Sequence, residues 1–282
     1  MIDLHVHSNA SDGSFSPSEL VYLAKKEGLL ALAITDHDTV SGLKEGYDTA
    51  LEEKLPFLCG VEISVKVEGP GHFHLLGYFL TPELTELEEV LEKLKKARKE
   101  RNLKMIEKLK NLKIDITLEE LLQTAKGEIG RPHIANLLVK KGVVKTFEEA
   151  FERYLKKGAP AYVPKALLSP KEAIEIILKA RGIPVIAHPF TLNLNPLALK
   201  KYLKELKEAG LKGIEAYYTE HTREYTKFLI ECAKELGLLI TGGSDFHGEN
   251  KPHILLGKGK GNLQIPLECY TKIFKALENF KL

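Results

Sequence analysis

The stretch Ile2-Asp3-Leu4-His5-Val6-His7-Ser8-Asn9-Ala10-Ser11-Asp12-Gly13, followed by Ser16-Pro17-Ser18-Glu19, decides how the fold is read. Ile2 to His7 is apolar-rich and of strand length, and Ser8 to Gly13 is a polar loop. Ser16 with Glu19 three positions on is a capping box, and Pro17 occupies the first helical position, so a helix should run to about Glu27. The unit is strand, loop, helix, with chemistry at the end of the strand. His5 and His7 stand at i and i+2, so both imidazoles leave the same side of a strand and can chelate one cation. Alone, that pair is a weak signal, more often satisfied core or surface histidines than a metal site.

Outward from this unit, strand and helix patterns alternate. Leu29 to Thr35 is an apolar run ending in Asp36-His37-Asp38, Ser41 to Lys54 has a helical pattern, and Phe57 to Val67 is strand-like. Gly69-Pro70-Gly71 reads as a turn that returns His72 to Leu80 as a hairpin partner. Between residues 83 and 165 the texture changes to Glu, Lys and Leu at helical spacing, with capping boxes at Thr117/Glu120 and Thr146/Glu149. That segment is expected to be an all-helical insertion whose Lys/Glu runs are solvated faces. From 166 to 282 the alternation resumes. A capping box at Ser169-Pro170-Lys171-Glu172 precedes strands at 183–187, 213–217 and 238–241, with helices at 196–209 and 222–236. Residues 1–82 and 166–282 are therefore the two parts of one α/β domain built on a parallel sheet.

On that map the titratable residues fall at strand ends: His5 and His7, Asp36 and His37, Glu62, His188 after Pro184-Val185-Ile186-Ala187, and Asp245 and His247 after Gly242-Gly243. Parallel strands in a barrel direct their C-terminal ends to one face, where barrel enzymes carry their active sites. Imidazole and carboxylate without thiolate suit Mn, Fe, Zn or Co. The donors are too many for one tetrahedral zinc, which points to a two- or three-metal cluster of the kind that polarises phosphoryl oxygens. His72 and His74 share a strand face, and either could join. His221 and His253 sit in polar surroundings. Gly130-Arg131-Pro132-His133 opens a helix inside the insertion, a place suited to a phosphate or carboxylate.

The chain has 282 residues, 41 Lys plus Arg against 39 Asp plus Glu, and a formal charge of +2. That balance argues against duplex DNA as a partner. The widely spaced Cys59, Cys232 and Cys269 fit reduced thiols in the core. No apolar run reaches membrane-spanning length and the N-terminus has no basic or apolar leader pattern, so a cytoplasmic protein is expected.

His5-Val6-His7 with Ser8 and Asp12-Gly13, Thr35-Asp36-His37-Asp38, Gly60-Val61-Glu62, Ala187-His188-Pro189 and Gly243-Ser244-Asp245-Phe246-His247 together resemble the PHP (polymerase and histidinol phosphatase) superfamily. Within it the chain is similar to the 3′,5′-nucleoside bisphosphate phosphatases and short-RNA 5′→3′ exonucleases. Those carry a helical insertion, matched here by Ala97-Arg98-Lys99-Glu100-Arg101-Asn102, Gly130-Arg131-Pro132-His133 and Ala161-Tyr162-Val163-Pro164. The resemblance implies a distorted (β/α)7 TIM-like barrel with an all-helical insertion. It implies two or three divalent ions, Mn2+ first and Fe2+ or Zn2+ as alternatives. The implied ligands are His5, His7, Asp12, His37, Glu62, His74, His188, Asp245 and His247, with Glu62 as bridging carboxylate. Asp245, Glu62 and His37 are the expected catalytic positions, and Arg101, Asn102, Arg131 and His133 the substrate contacts. The implied reaction is attack of a metal-bridging hydroxide on the 3′-phosphate of a nucleoside 3′,5′-bisphosphate, with 5′→3′ trimming of short RNA as a second activity. Three rivals share features of this pattern. They are a histidinol-phosphate phosphatase on the same barrel, an amidohydrolase-type hydrolase, and a non-catalytic metal-binding module. The arginines of the insertion count against the first, the lack of an obvious bridging lysine against the second, and the filled ligand positions against the third.

Overall fold

A computed structural model describes residues 1–67, 71–124 and 130–280. Gly69 and Pro70 of the expected turn lie outside the described residues. In chain order the elements are α1 (Pro17–Lys26), β1 (Leu32–Ile34), α2 (Leu43–Glu52), β2 (Phe57–Val65), β3 (Phe73–Phe79), α3 (Thr85–Asn111), α4 (Leu118–Thr124), α5 (Arg131–Lys140), α6 (Phe147–Ala150), α7 (Pro170–Lys179), β4 (Ile183–Ile186), α8 (Pro196–Glu208), β5 (Gly213–Tyr218), α9 (Arg223–Leu236), β6 (Leu239–Gly243) and α10 (Leu267–Glu278). The chain divides into two compact units, residues 1–90 with 167–282, and residues 91–166.

The first unit is α/β. Its sheet runs β1-β2-β3-β4-β5-β6, with β1 parallel to β2, β3 antiparallel to both neighbours, and β4, β5 and β6 parallel. The sheet is mixed rather than wholly parallel, because the β2–β3 hairpin reverses one strand. Five strands consequently point their C-terminal ends to one face, and β3 brings its N-terminal end there.

Residues 2–7, expected as a full strand, make only isolated bridges at Asp3 and Val6. Their backbone bonds are nevertheless two-sided. Asp3 N donates to Ala31 O and Thr35 N to Val6 O on the β1 side; Leu4 N donates to Gly242 O and His7 N to Phe246 O on the β6 side. The curled sheet thus brings both edges to one segment, and neither edge strand is left unpaired there, which removes a template for aggregation. Among the described residues the sheet has six strands, with residues 2–7 beside them as a bridging segment. Gly243 permits the closure, since a Cβ at that position would collide with the Cβ of His5.

Local signals explain the helices. Ser16 and Ser169 each close a complete capping box, with Glu19 and Glu172, and Pro stands at the first position of α1 and of α7. Asn195 and Thr222 cap α8 and α9 through their side chains. The C-terminal α10 has no counterpart in the sequence reading. It buries Cys269, Ile273 and Leu277 in one cluster with Ile2, Leu4, Ala33, Leu58, Leu76 and Val185. All three cysteines are buried and free, as core fillers should be.

The second unit has only helices among its described residues, including a single π turn at Phe151–Leu155. Met105, Ile106 and Leu109 of α3 follow helical spacing and pack with Ile116, Leu121, Ile134, Leu137, Leu138 and Leu155. The box expected at Thr117/Glu120 forms with both bonds. At Thr146 only half of the expected box forms, since Oγ1 accepts from Glu149 N while the Glu149 carboxylate accepts from Lys145 N instead. Among the described residues no helix is long and apolar enough to cross a membrane.

Candidate metal centre

The closing segment, the loop after β1, the middle of β2, the start of β3 and the loops after β4 and β6 all deliver polar side chains to one face of the first unit. Glu62 on β2 is the hub and is fully buried. Its Oε1 lies 2.7 Å from His74 Nδ1 and 2.8 Å from His188 Nε2. Its Oε2 lies 3.2 Å from His5 Nε2, 3.2 Å from His7 Nε2 and 3.1 Å from His37 Nδ1. One carboxylate therefore meets five imidazoles. Burial alone would raise its pKa, but His37, His74 and His5, with the hydrogen bond from His188, hold it well below the usual carboxylate range.

Asp245 and Asp12 extend the cluster. Asp245 Oδ1 approaches His7 Nε2 at 3.1 Å, His247 Nδ1 at 3.5 Å and His5 Nε2 at 3.7 Å. Asp12 approaches His247 Nε2 at 3.3 Å and His7 Nδ1 at 3.7 Å. Burial would lower the pKa of His7, yet Asp245 and Glu62 outweigh it and push it up to about 9.

Three sets of donor atoms lie within 4.8 Å of one another: His7, Asp12, His37 and His247; His5, His7, Glu62 and Asp245; and His37, Glu62 and His74. The sets share His7, His37 and Glu62, as neighbouring ion positions with common ligands would. The fit to cations rests on the buried atoms themselves. His5 Nε2, both nitrogens of His7 and Glu62 Oε2 are shielded from solvent and have no hydrogen-bond partner, although nitrogen and oxygen stand at close range. Buried polar atoms without partners cost about 1–3 kcal/mol each. Atoms that converge without hydrogen-bond alignment suit divalent cations that accept nitrogen and oxygen.

The surrounding residues hold this arrangement. Asp245, His188 and Asp38 have left-handed backbones, with φ of 59°, 25° and 53°. Such residues cost of order 1–3 kcal/mol each, so the contacts around them must over-determine them. Asp245 N donates to His5 O, and Tyr218 Oη and Lys251 Nζ both donate to Asp245 Oδ2 at 2.9 Å. Ser64 N and Oγ donate to Asp38, which fixes the loop carrying His37. Asp36 is not aimed at the cluster: it accepts from Ser8 N, Ser8 Oγ and Ser11 Oγ, pinning the loop that carries Asp12.

Of the two histidines at the start of β3, His74 reaches Glu62, whereas His72 is exposed and donates its backbone N–H to Thr191 O. His221 is buried, with Nδ1 3.0 Å from Ala216 O, and packs among Phe190, Tyr218 and Tyr225; His253 is exposed. The sequence reading missed Glu215, a fully buried carboxylate that touches both His5 and the backbone of His188. A Glu inside the otherwise apolar strand Gly213–Tyr218 was the available signal.

In the helical unit, Arg101 is buried and its Nε donates to Val163 O at 3.0 Å, with Nη1 3.3 Å from Asn102 Oδ1. Arg131 lies over the rings of Phe151 and Tyr162 at 5.7 and 5.8 Å, a cation–π arrangement. Burial, and the nearby charges of Arg131 and Arg98, push the Arg101 pKa down to about 10. Like charges gathered at a partly desolvated place gain from an anion. His133 Nδ1 accepts from Gly130 N, which leaves Nε2 to carry the proton and donate.

Comparison with known proteins adds a lineage. The PHP domain family model matches residues 3–164. A 5′-3′ exoribonuclease of Haemophilus influenzae is 36% identical over 245 residues, covering 87% of this chain and 89% of that protein. A 3′,5′-nucleoside bisphosphate phosphatase of Chromobacterium violaceum is 33% identical, covering 87% of both. Among solved structures, a Bifidobacterium adolescentis protein assigned by inference as a metal-dependent phosphoesterase superposes with a TM-score of 0.76 at 31% identity, covering 98% of this chain and 96% of the other.

Proposed function

We propose, from the premise that this chain belongs to the PHP-domain family of metal-dependent phosphoesterases, that it removes the 3′-phosphate of nucleoside 3′,5′-bisphosphates and trims short RNA from the 5′ end. The observation that carries the reading is the meeting of five imidazoles on Glu62, with the donor sets around it sharing His7 and His37. His5, His7, Asp12, His37, Glu62, His74, His188, Asp245 and His247 hold two or three divalent ions, Mn2+ first. Bound ions of this kind supply Lewis acidity toward phosphoryl oxygens and nucleophilic water near neutral pH.

The chain's own groups do the rest. Glu62 spans the donor sets through its two oxygens and balances the charge of the imidazoles. Asp245 keeps Oδ1 turned to the cluster while Tyr218 and Lys251 occupy Oδ2. His37, partly exposed and the hinge between two donor sets, faces the entering ester. In the helical unit, Arg101, Asn102, Arg131 and His133 bind phosphate. The planar guanidinium fork matches phosphate oxygens in pairs. A substrate with a second phosphate is the one for which these arginines have a use, which disfavours histidinol phosphate.

The deciding experiment compares phosphate release by Mn2+-reconstituted protein from adenosine 3′,5′-bisphosphate, 5′-AMP and histidinol phosphate. The proposal expects adenosine 3′,5′-bisphosphate to react fastest with AMP as product. Cleavage of histidinol phosphate with the bisphosphate untouched overturns it.

A further inference from the structure

We infer that β5, which supplies no donor to the three sets among the described residues, is the strand that positions the cluster around Glu62: Glu215 sets the tautomer of His5 and latches His188, and Tyr218 aims Asp245. The inference rests on the metal-centre reading above and deepens it.

The geometry begins with a β-bulge. Against β6, Glu215 pairs with Thr241 but Tyr217 pairs with Gly242, so β5 carries one extra residue at Ala216. In a regular strand Glu215 and Tyr218, three positions apart, point to opposite faces. The extra residue reverses the alternation, and both side chains reach the same cluster. Bulges beside active sites re-aim side chains in this way.

Glu215 then acts on two elements at once. Its Oε1 lies 2.9 Å from His5 Nδ1, and its Oε2 accepts from His188 N at 2.7 Å. A carboxylate is an acceptor only, so when a cation takes Nε2 the one proton of the His5 ring resides on Nδ1, toward Glu215. His5 Nε2 is left with its lone pair, buried and without a hydrogen-bond partner, facing Glu62 Oε2 and Asp245 Oδ1. That is the tautomer a metal ligand needs, and a carboxylate behind a ligating imidazole is the usual way to fix it. The second contact steadies a left-handed backbone at His188, whose Nε2 is 2.8 Å from Glu62 Oε1. Tyr218 completes the work of the strand by donating to Asp245 Oδ2, which leaves Oδ1 for the cluster.

Glu215→Gln tests the tautomer without emptying the space. The amide oxygen can still accept from His188 N, but the NH2 then faces His5 Nδ1 and drives the proton to Nε2. Metal-free protein is titrated with Mn2+, free ion being read by its electron paramagnetic resonance signal, and thermal unfolding of the metal-free state is followed in parallel. Ile214→Ala, a buried change on the same strand at a position that supplies no donor, reports purely structural loss. The expected result is an affinity about 10–100-fold weaker for at least one Mn2+ in Glu215→Gln. Tyr218→Phe should weaken it by a smaller factor, because Lys251 still holds Oδ2. Ile214→Ala should lower the unfolding temperature and leave affinity unchanged. The inference is overturned if Glu215→Gln and Tyr218→Phe bind Mn2+ as the unsubstituted protein does, or lose it only in step with stability as Ile214→Ala does. If the unsubstituted protein itself takes up no Mn2+, Fe2+ or Zn2+, the metal-centre reading fails instead.

Discussion

Glu62 and His188, 126 positions apart in the chain, meet at 2.8 Å between Oε1 and Nε2 in a place almost without solvent. β2 and β4 never pair directly; β3 lies between them, antiparallel to both. The contact therefore forms over the end of the reversed strand, where His74 also reaches Oε1 of the same carboxylate. A buried carboxylate among imidazoles is costly unless charge and hydrogen bonds compensate.

Glu62→Gln removes the charge that five imidazoles share while keeping the side chain's size. Loss of about 10³-fold or more in turnover is expected, equivalent to ~4 kcal/mol of barrier. Metal content of the purified variant, measured by plasma emission, should fall alongside. A variant that keeps both full metal content and full rate shows that Glu62 does not bridge.

His7 ties stability to pH in the metal-free protein. Its folded pKa is raised from 6.5 to about 9, so its imidazolium between Asp245 and Glu62 stabilises the fold fully below about pH 6.5. That contribution is lost as pH rises through about 9. With Mn2+ present the direction reverses, because ion and proton compete for the same nitrogen and affinity climbs with pH. Thermal melts from pH 6 to 9.5, with chelator and with excess Mn2+, should diverge. Saturation at 100 times the dissociation constant adds about 2.7 kcal/mol. Parallel curves contradict the linkage.

Arg131→Ala should separate substrates rather than abolish chemistry. A charge-assisted hydrogen bond is worth about 1.5–3 kcal/mol, so KM for adenosine 3′,5′-bisphosphate is expected to rise roughly 10–100-fold. Hydrolysis of a simple phosphate monoester should change little. Equal losses on both substrates in steady-state kinetics speak against a role in recognising the second phosphate.

Gly243→Ala places a methyl group against His5. Overpacking of this kind costs about 1–3 kcal/mol, readable as a lower urea midpoint. The closure between residues 2–7 and β6 is the affected contact. Unchanged stability means that the segment can shift away from β6.

Much of the local structure was legible in the chain because its signals are local. Capping boxes at Ser16/Glu19 and Ser169/Glu172 mark helix starts with the residues that make the bonds. Apolar runs at 57–67 and 183–187 announced β2 and β4, although the observed strands stop at Val65 and Ile186. Residues 2–7 were legible as extended but not as a bridging segment, since single bridges to both β1 and β6 leave no periodic trace. The register shift at Glu215/Tyr217 and the helix α10 were likewise invisible. A bulge has no composition of its own, and α10 is fixed by burying Cys269, Ile273 and Leu277 against strands far away in sequence.

The sequence by itself determined which groups could do chemistry: histidines and acids at strand ends, no paired thiols, and arginines within a helical segment. Only the tertiary structure decided which of them meet. It brought His74 rather than His72 to Glu62, because the reversed strand β3 presents His74 at the cluster and leaves His72 exposed. It turned Asp36 to Ser8 and Ser11, and it drew Glu215 behind His5. The physical reason is that donor sets are a property of closure. Strands whose ends lie up to 240 positions apart in sequence share one face only when both edges of the sheet reach residues 2–7, and no local pattern encodes that distance.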